Sequence, residues 1–306
     1  MRTILEVKNL YKSFKGKKVI NDLSFNVLRN SIFGFVGRNG AGKTTTMKMI
    51  MDFLQPDAGA IIFCGEDITE SKNKCNRKIG YLPDVPEFYD FYTPMKYLLF
   101  CGEISNIRHT ECKKKAEELL KLVGLEKESN RKIKGFSRGM KQRLGVAQAL
   151  LNDPDILICD EPTSALDPIG RKEILDLLQK VKERTTVIFS THILSDVQRV
   201  CDYIGIIENG KIVRYGTIEE LIQIAGDIRI KICCANENEN NLLLEDAKCE
   251  KEFKNAYIEN NEVYIEIETE EKMKSLFRWI GEKNYHVNSI RKVEKTLEDI
   301  YMEVVK

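Results

Sequence analysis

The sequence predicts an α/β protein, a largely parallel sheet with helices on its faces, followed by a small C-terminal domain of α+β type. Three observations carry this. Short apolar runs alternate with segments of helical period over roughly the first 220 residues. The 306-residue chain also exceeds the roughly 250–300 residues that one hydrophobic core serves, so an appendage is expected. From about Asp227 both periodicity and charge change, which sets expected domains of residues 1–226 and 227–306.

In chain order, the buried-strand candidates are Ile32–Val36, Ile79–Leu82, Ile156–Cys159, Val187–Ser190 and Ile204–Glu208, each rich in β-branched or aromatic residues. Residues 88–150 read as a mostly helical subdomain. There Thr93-Pro94 is an N-cap followed by proline at the first helical position, and Thr110 opens a segment with Ala116, Leu119, Leu120 and Val123 on one face. Beyond Asp227, Ile228, Ile230 and Ile232 alternate, as do Val263, Ile265 and Ile267, with the polar run Asn236 to Asn241 expected as a loop between half-exposed strands. That region carries 18 acidic and 13 basic side chains. Trp279, the only tryptophan, is expected in its core. The Leu297, Ile300, Tyr301 and Val304 stripe suits packing either on its own sheet or on another subunit.

Composition excludes several classes. Forty-eight basic residues against 47 acidic ones leave a net charge of +1, so no nucleic-acid partner is expected. Nine cysteines with no C-x-x-C spacing fit a reducing cytosol better than a disulfide framework or a zinc ribbon. The longest apolar runs fall far short of the roughly 20 residues of a membrane-spanning helix, so the chain is expected to be soluble by itself.

Two motifs carry chemistry. Gly37-Arg38-Asn39-Gly40-Ala41-Gly42-Lys43-Thr44-Thr45 links a strand to an apolar-periodic helix and fits G-x-x-x-x-G-K-[ST]. Glycines let successive N–H groups converge on phosphate oxygens at a helix N-terminus, Lys43 reaches the β- and γ-phosphates, and Thr44 offers a hydroxyl to Mg²⁺. Further on, Ile156-Leu157-Ile158-Cys159 runs into Asp160-Glu161, which places two acids at the carboxyl end of a strand. Asp160 suits the metal, and Glu161 suits accepting a proton from an attacking water.

These motifs, together with Phe136-Ser137-Arg138-Gly139-Met140-Lys141-Gln142, Pro162-Thr163, Ser164-Ala165-Leu166-Asp167 and Ser190-Thr191-His192, resemble the ATP-binding subunits of ABC transporters in order and spacing across residues 1 to about 220. Within that family the chain looks like the ATPases of ABC-2-type exporters, including bacitracin-resistance transporters. The resemblance implies a P-loop NTPase core of ABC ATPase type, ATP and Mg²⁺ as ligands, and a nucleotide site completed by a second ATPase subunit, with a homodimer expected. It further implies an integral-membrane permease partner that holds the protein at the cytoplasmic face of the cell membrane. Ser137 and Gly139 would hold the γ-phosphate of the opposite subunit's nucleotide, His192 would position the attacking water, and Asp167 would communicate between the two sites. Phe14 occupies the place of the adenine-stacking aromatic, with Tyr11 as the nearby alternative. Without the motif context Ser137 reads as a plain N-cap and Asp167 as a solvated turn.

Two positions depart from the family pattern. Asp84 stands where relatives carry glutamine or glutamate, and its metal or water contact would be longer or indirect. Arg138 replaces the first signature glycine, with its side chain directed either away from the phosphate or beside it. An ABC-type ATPase acting on ribosomes or nucleic acid and a P-loop kinase are the competing classes. The first generally has two ATPase units or a long coiled insertion, and the second would not need Ser137 or Pro162-Thr163. Six aromatics between Phe88 and Phe100 suggest a permease-docking surface beside a subdomain core.

Overall fold

The computed structural model describes residues 2–69, 78–224, 228–250, 253, 255–283, 285–293 and 295–305. The chain forms two compact units, Met1–Ile218 and Glu219–Lys306. The boundary expected near Gly226 lies outside the described residues, and the units divide eight residues earlier.

The first unit opens with a long hairpin, β1 (Thr3–Phe14) and β2 (Lys17–Leu28), before β3 (Ile32–Val36) and α1 (Lys43–Ile50). Then follow β4 (Ala58–Phe63), β5 (Glu66–Asp67), β6 (Ile79–Leu82) and three helices, α2 (Pro94–Ile104), α3 (His109–Leu122) and α4 (Arg138–Leu150). The remainder is β7 (Ile156–Asp160), α5 (Pro168–Lys182), β8 (Thr186–Thr191), α6 (Leu194–Val200), β9 (Tyr203–Glu208) and β10 (Lys211–Gly216), with α7 (Ile218–Ile224) running into the second unit.

The expected parallel sheet is present with strand order β10-β9-β3-β8-β7-β6, and only β10 runs antiparallel. Strands β3, β7 and β8 bury every residue because helices, α6 against Gly34 among them, cover one face and the N-terminal strands with α1 cover the other. Sequence patterning missed a second sheet, the antiparallel β2-β1-β4-β5. Its alternation is hidden by register shifts along β1, among them one spanning Val7 to Leu10 around the left-handed Asn9 (φ 44°). One core joins both sheets and α1, with Phe25 stacked on Phe33 at 5.3 Å. Each fully buried Phe, Ile or Leu there contributes about 1.5–3 kcal/mol.

Register places the site. In the parallel ladders Val36 pairs with Thr191 and Asp160 with Ser190, so the carboxyl ends of β3, β7 and β8 lie level. The segments leaving those ends begin at Gly37, Glu161 and His192. The helical subdomain forms as expected, with Thr93 Oγ1 accepting from Lys96 N and Ser137 Oγ accepting from Met140 N.

The second unit runs β11 (Ile228–Cys234), α8 (Glu237–Cys249), β12 (Ala256–Glu259), β13 (Glu262–Ile267), α9 (Glu270–Glu282), β14 (Val287–Val293) and α10 (Leu297–Val304). Its antiparallel order β12-β13-β11-β14 is the split β-α-β arrangement. The expected loop at Asn236 to Asn241 is instead the start of α8. Asn236 caps the helix by accepting from Glu239 N, while buried Asn240 accepts from Cys234 N and donates to Asn261 O. Asparagine's poor helix propensity concealed a run whose apolar residues begin only at Leu242. Trp279 packs between Phe253 and Tyr285 against the core and donates Nε1–H to Glu250.

Leu297 and Ile300 are buried, and α10 is tied to the sheet by Arg229–Asp299 and Lys295–Glu266 ion pairs. Burial opposes a charge on Arg229, yet Asp299 and its neighbours hold the guanidinium pKa above its ordinary value.

Candidate nucleotide site

The loop between β3 and α1 wraps tightly because its glycines allow it. Gly40 and Gly42 have φ of +85° and +114°, and a Cβ on Gly42 would lie 2.5 Å from Ile20. Behind the loop, a Cβ on Gly37 would meet the Ile207 carbonyl at 2.6 Å. Lys43, only 5% exposed, opens α1 and folds its ammonium back, donating to Gly37 O at 2.6 Å and Arg38 O at 3.3 Å. The loop borders a cleft of about 440 Å³ lined by Asn39, Gly40, Gly42, Lys43, Thr44 and Thr45, together with Val19 and Glu161. Ala41 packs inward instead, buried at 7% exposure.

The carboxylates meet this loop from β7. Asp160, 6% exposed, accepts from Ser190 Oγ at 2.6 Å, and the same hydroxyl accepts from Glu161 N at 3.0 Å. Glu161 adopts a left-handed φ of 47°, a strain of about 1–2 kcal/mol for an L-residue, which ends the strand. Its Oε1 lies 3.1 Å from Lys43 Nζ and its Oε2 3.0 Å from His192 Nδ1. Among the described residues Oε1 makes no well-directed hydrogen bond although it is buried, so the ion pair is its main support. Nearby, burial and then Asp160 push the Tyr81 hydroxyl pKa up to about 12.

A buried carboxylate braces the two segments that follow. Asp196, 2% exposed on α6, accepts from Thr163 Oγ1 at 2.7 Å and from Arg171 Nε at 2.5 Å. It thereby ties the turn after Glu161 and the start of α5 to the segment after His192. Asp167 caps α5 by accepting from Gly170 N.

The other sequence-predicted residues lie outside the cleft lining. Ser137 and Gly139 sit at the N-terminus of α4, Asp167 at that of α5, and Phe14 at the end of β1, 45% exposed with Lys12 Nζ 5.7 Å from its ring. Asp84 follows β6, with Oδ1 3.6 Å from Arg138 Nη2. Burial raises its pKa, Arg138 opposes that rise, and Glu161 and Asp160 reinforce it. Sequence reasoning named Ser190 within a motif but gave it no role, and it missed Val19 and Asp196. The signal for Ser190 is a hydroxyl at a strand's carboxyl end, legible only once β8 is known to pair with β7.

The residues fit a nucleotide with a hard divalent cation. The glycines let the loop close against Ile20 and Val19, where a Cβ on Gly42 would collide, Lys43 sits at its base, and hydroxyl and carboxylate oxygens of Thr44 and Asp160 suit Mg²⁺. Among the described residues no group of three or more His, Cys, Asp or Glu side chains is gathered as a metal cage. Among the same residues no helix is long and apolar enough to cross a membrane.

Comparison with known proteins gives the same reading. Residues 20–164 match the ABC transporter family model, and residues 216–305 match the C-terminal domain of DrrA1-3-like ATP-binding proteins. The chain is 38% identical to the uncharacterized ABC transporter ATP-binding protein YxlF of Bacillus subtilis, over 99% of both sequences. It is 43% identical to the bacitracin transport ATP-binding protein BcrA of Bacillus licheniformis, over 69% of each. Among solved structures, a dimeric post-hydrolysis state of the ATP-binding cassette MJ0796 bound to ADP and Pi superimposes with a TM-score of 0.63 at 25% identity, covering 70% of this chain and 98% of that one. The strand-end geometry and these matches make the chain a member of the ATP-binding subunits of ABC transporters, ATPases that drive transport through a membrane permease.

Proposed function

We propose that this subunit powers export of a drug-like, peptide or lipid-like compound through a separate permease at the cytoplasmic face of the membrane. Relatives named for bacitracin transport, linearmycin resistance and Nod factor export support that direction. In this reading Lys43 and the loop N–H groups hold the triphosphate, Thr44 and Asp160 hold Mg²⁺, and Asp84 approaches the metal through water. Mg²⁺ would neutralise phosphate charge. Glu161 takes the proton of the attacking water, His192 orients it, and Ser190 fixes both acids.

Ser137, Gly139 and Asp167 would serve the nucleotide of a second copy, and Phe14 would stack on the base. Free N–H groups at a capped helix start suit a γ-phosphate brought by that copy. The permease would dock where Tyr89 and Phe91 are exposed.

The observation that carries this reading is Glu161 held between Lys43 and His192 at the mouth of the phosphate loop. Its test is Glu161→Gln. ATP binding is retained, turnover falls by about 10²-fold or more, and ATP drives a dimer seen by light scattering. A variant that hydrolyses ATP at the original rate would remove Glu161 from the chemistry, and one that stays monomeric in ATP would sink the two-chain site.

A further inference from the structure

The two positions that depart from the family pattern meet in space. Arg138 is the first residue of α4, and its Nη2 lies 3.6 Å from Asp84 Oδ1 in the loop after β6. A second pair repeats the link three residues on, with Lys141 Nζ 3.5 Å from Asp90 Oδ1. The backbone before α4 is joined to the same loop, Ile133 N donating to Tyr92 O at 2.9 Å and Lys134 N to Asp90 O at 3.1 Å. The start of α4 and the loop after β6 are therefore one connected piece, with Arg138–Asp84 as its clasp nearest the acids.

A cation at the first residue of a helix opposes the macrodipole, because the free N–H groups there already carry positive charge. The position calls for an anion. Within one chain that anion is Asp84, whose Oδ1 is covered and has no hydrogen bond among the described residues. The side chains are 42% and 48% exposed, so water screens the pair and it separates at small cost. A phosphate carries more charge and matches the guanidinium fork, so it outcompetes a single carboxylate oxygen.

We propose that Arg138 is a positioning residue that exchanges partners, resting on Asp84 of its own chain when the subunit is alone and on the γ-phosphate of the second copy's nucleotide when two copies assemble. This rests on the reading above in which the start of α4 faces that nucleotide. The exchange releases Asp84 beside Asp160 and Glu161, whose charges it already feels. Nucleotide bound to one chain thus alters the acid group around the other chain's site, and each chain carries its own relay.

The test is a double-mutant cycle in the full-length Glu161→Gln chain, reading by light scattering the ATP concentration that half-saturates dimer formation. Asp84→Asn removes the competing carboxylate and should lower that concentration about 2–5-fold, the worth of an exposed ion pair. Arg138→Gly should raise it, and Arg138→Lys, which keeps the charge, should recover most of the loss. With glycine at 138, Asp84→Asn should have no effect. Equal Asp84→Asn shifts with and without Arg138 would overturn the exchange, because a metal or water contact of Asp84 does not need the arginine. A parent that never dimerises in ATP would overturn the two-chain reading and this proposal with it, whereas a dimerising parent with uncoupled shifts overturns the exchange alone.

Discussion

Lys43 Nζ lies 3.1 Å from Glu161 Oε1, so the cation suited to phosphate and the carboxylate suited to water form an ion pair at the mouth of the phosphate loop. A buried ammonium left alone would be costly, and Glu161 with two loop carbonyls supplies its partners.

Lys43→Ala should weaken nucleotide binding itself by about 10–100-fold, the worth of lost charge-assisted hydrogen bonds of about 1.5–3 kcal/mol. Titration with a fluorescent ATP analogue measures this. Unchanged affinity would exclude the phosphate-loop assignment.

Ser190→Ala strips Asp160 of its donor and Glu161 N of its acceptor at once. Buried groups left without partners cost about 1–3 kcal/mol, so both thermal stability and turnover should fall. Ser190→Thr keeps the hydroxyl and should restore most of the turnover. If alanine and threonine variants hydrolyse ATP equally well, the hydroxyl is not positioning the acids.

Replacing Tyr89 and Phe91 together by Ala should reduce co-purification with the permease and leave ATP binding intact. These rings are 55% and 68% exposed but touch Tyr92, and Tyr89 also Phe100, so stability should fall by about 1 kcal/mol without loss of the fold. They lie on the outer side of a ring cluster, Phe91 at 4.7 Å from Tyr92 and Tyr89 edge-on to Phe100, while Phe88 packs edge-on against Tyr97 and Tyr92 stacks on Phe100. A double variant that melts much earlier, or that binds the permease normally, would contradict the docking surface.

The phosphate-loop and strand-end residues of the candidate site were legible as neighbours because linear motifs sit at the ends of buried strands, where apolar runs such as Ile156–Cys159 stop at a charged pair. The residues that join those motifs were not legible. Asp196 reaches Thr163 and Arg171 across the fold, and Ser190 reaches Asp160 only through the β7–β8 register. Such pairings depend on topology, which periodicity does not encode. The N-terminal sheet escaped notice for a local reason, since bulges broke the alternation of β1, and α8 escaped because its first turn is polar.

Acid should loosen α10. Burial pushes the Asp299 pKa up, but the Thr296 backbone and hydroxyl and the Arg229 guanidinium outweigh it and hold the carboxyl below its ordinary value of 3.8. A depressed native pKa means the stabilisation is complete above about 3.8 and fades as pH falls through the native value. Asp299→Asn should therefore cost about 1–3 kcal/mol at pH 7 and progressively less as pH falls below 3.8. Hydrogen exchange over residues 297–304, corrected for intrinsic rates, reads the difference. An equal cost across that pH range would refute the assignment.

The sole indole of the chain, Trp279, is seated between Phe253 and Tyr285 in the second unit, while every phosphate-loop residue belongs to the first. Intrinsic emission excited at the red edge therefore reports on the accessory unit, through a ring packed on its own core. The ring thus serves as a built-in probe of the accessory core, and its emission follows the unfolding of that unit with no label added.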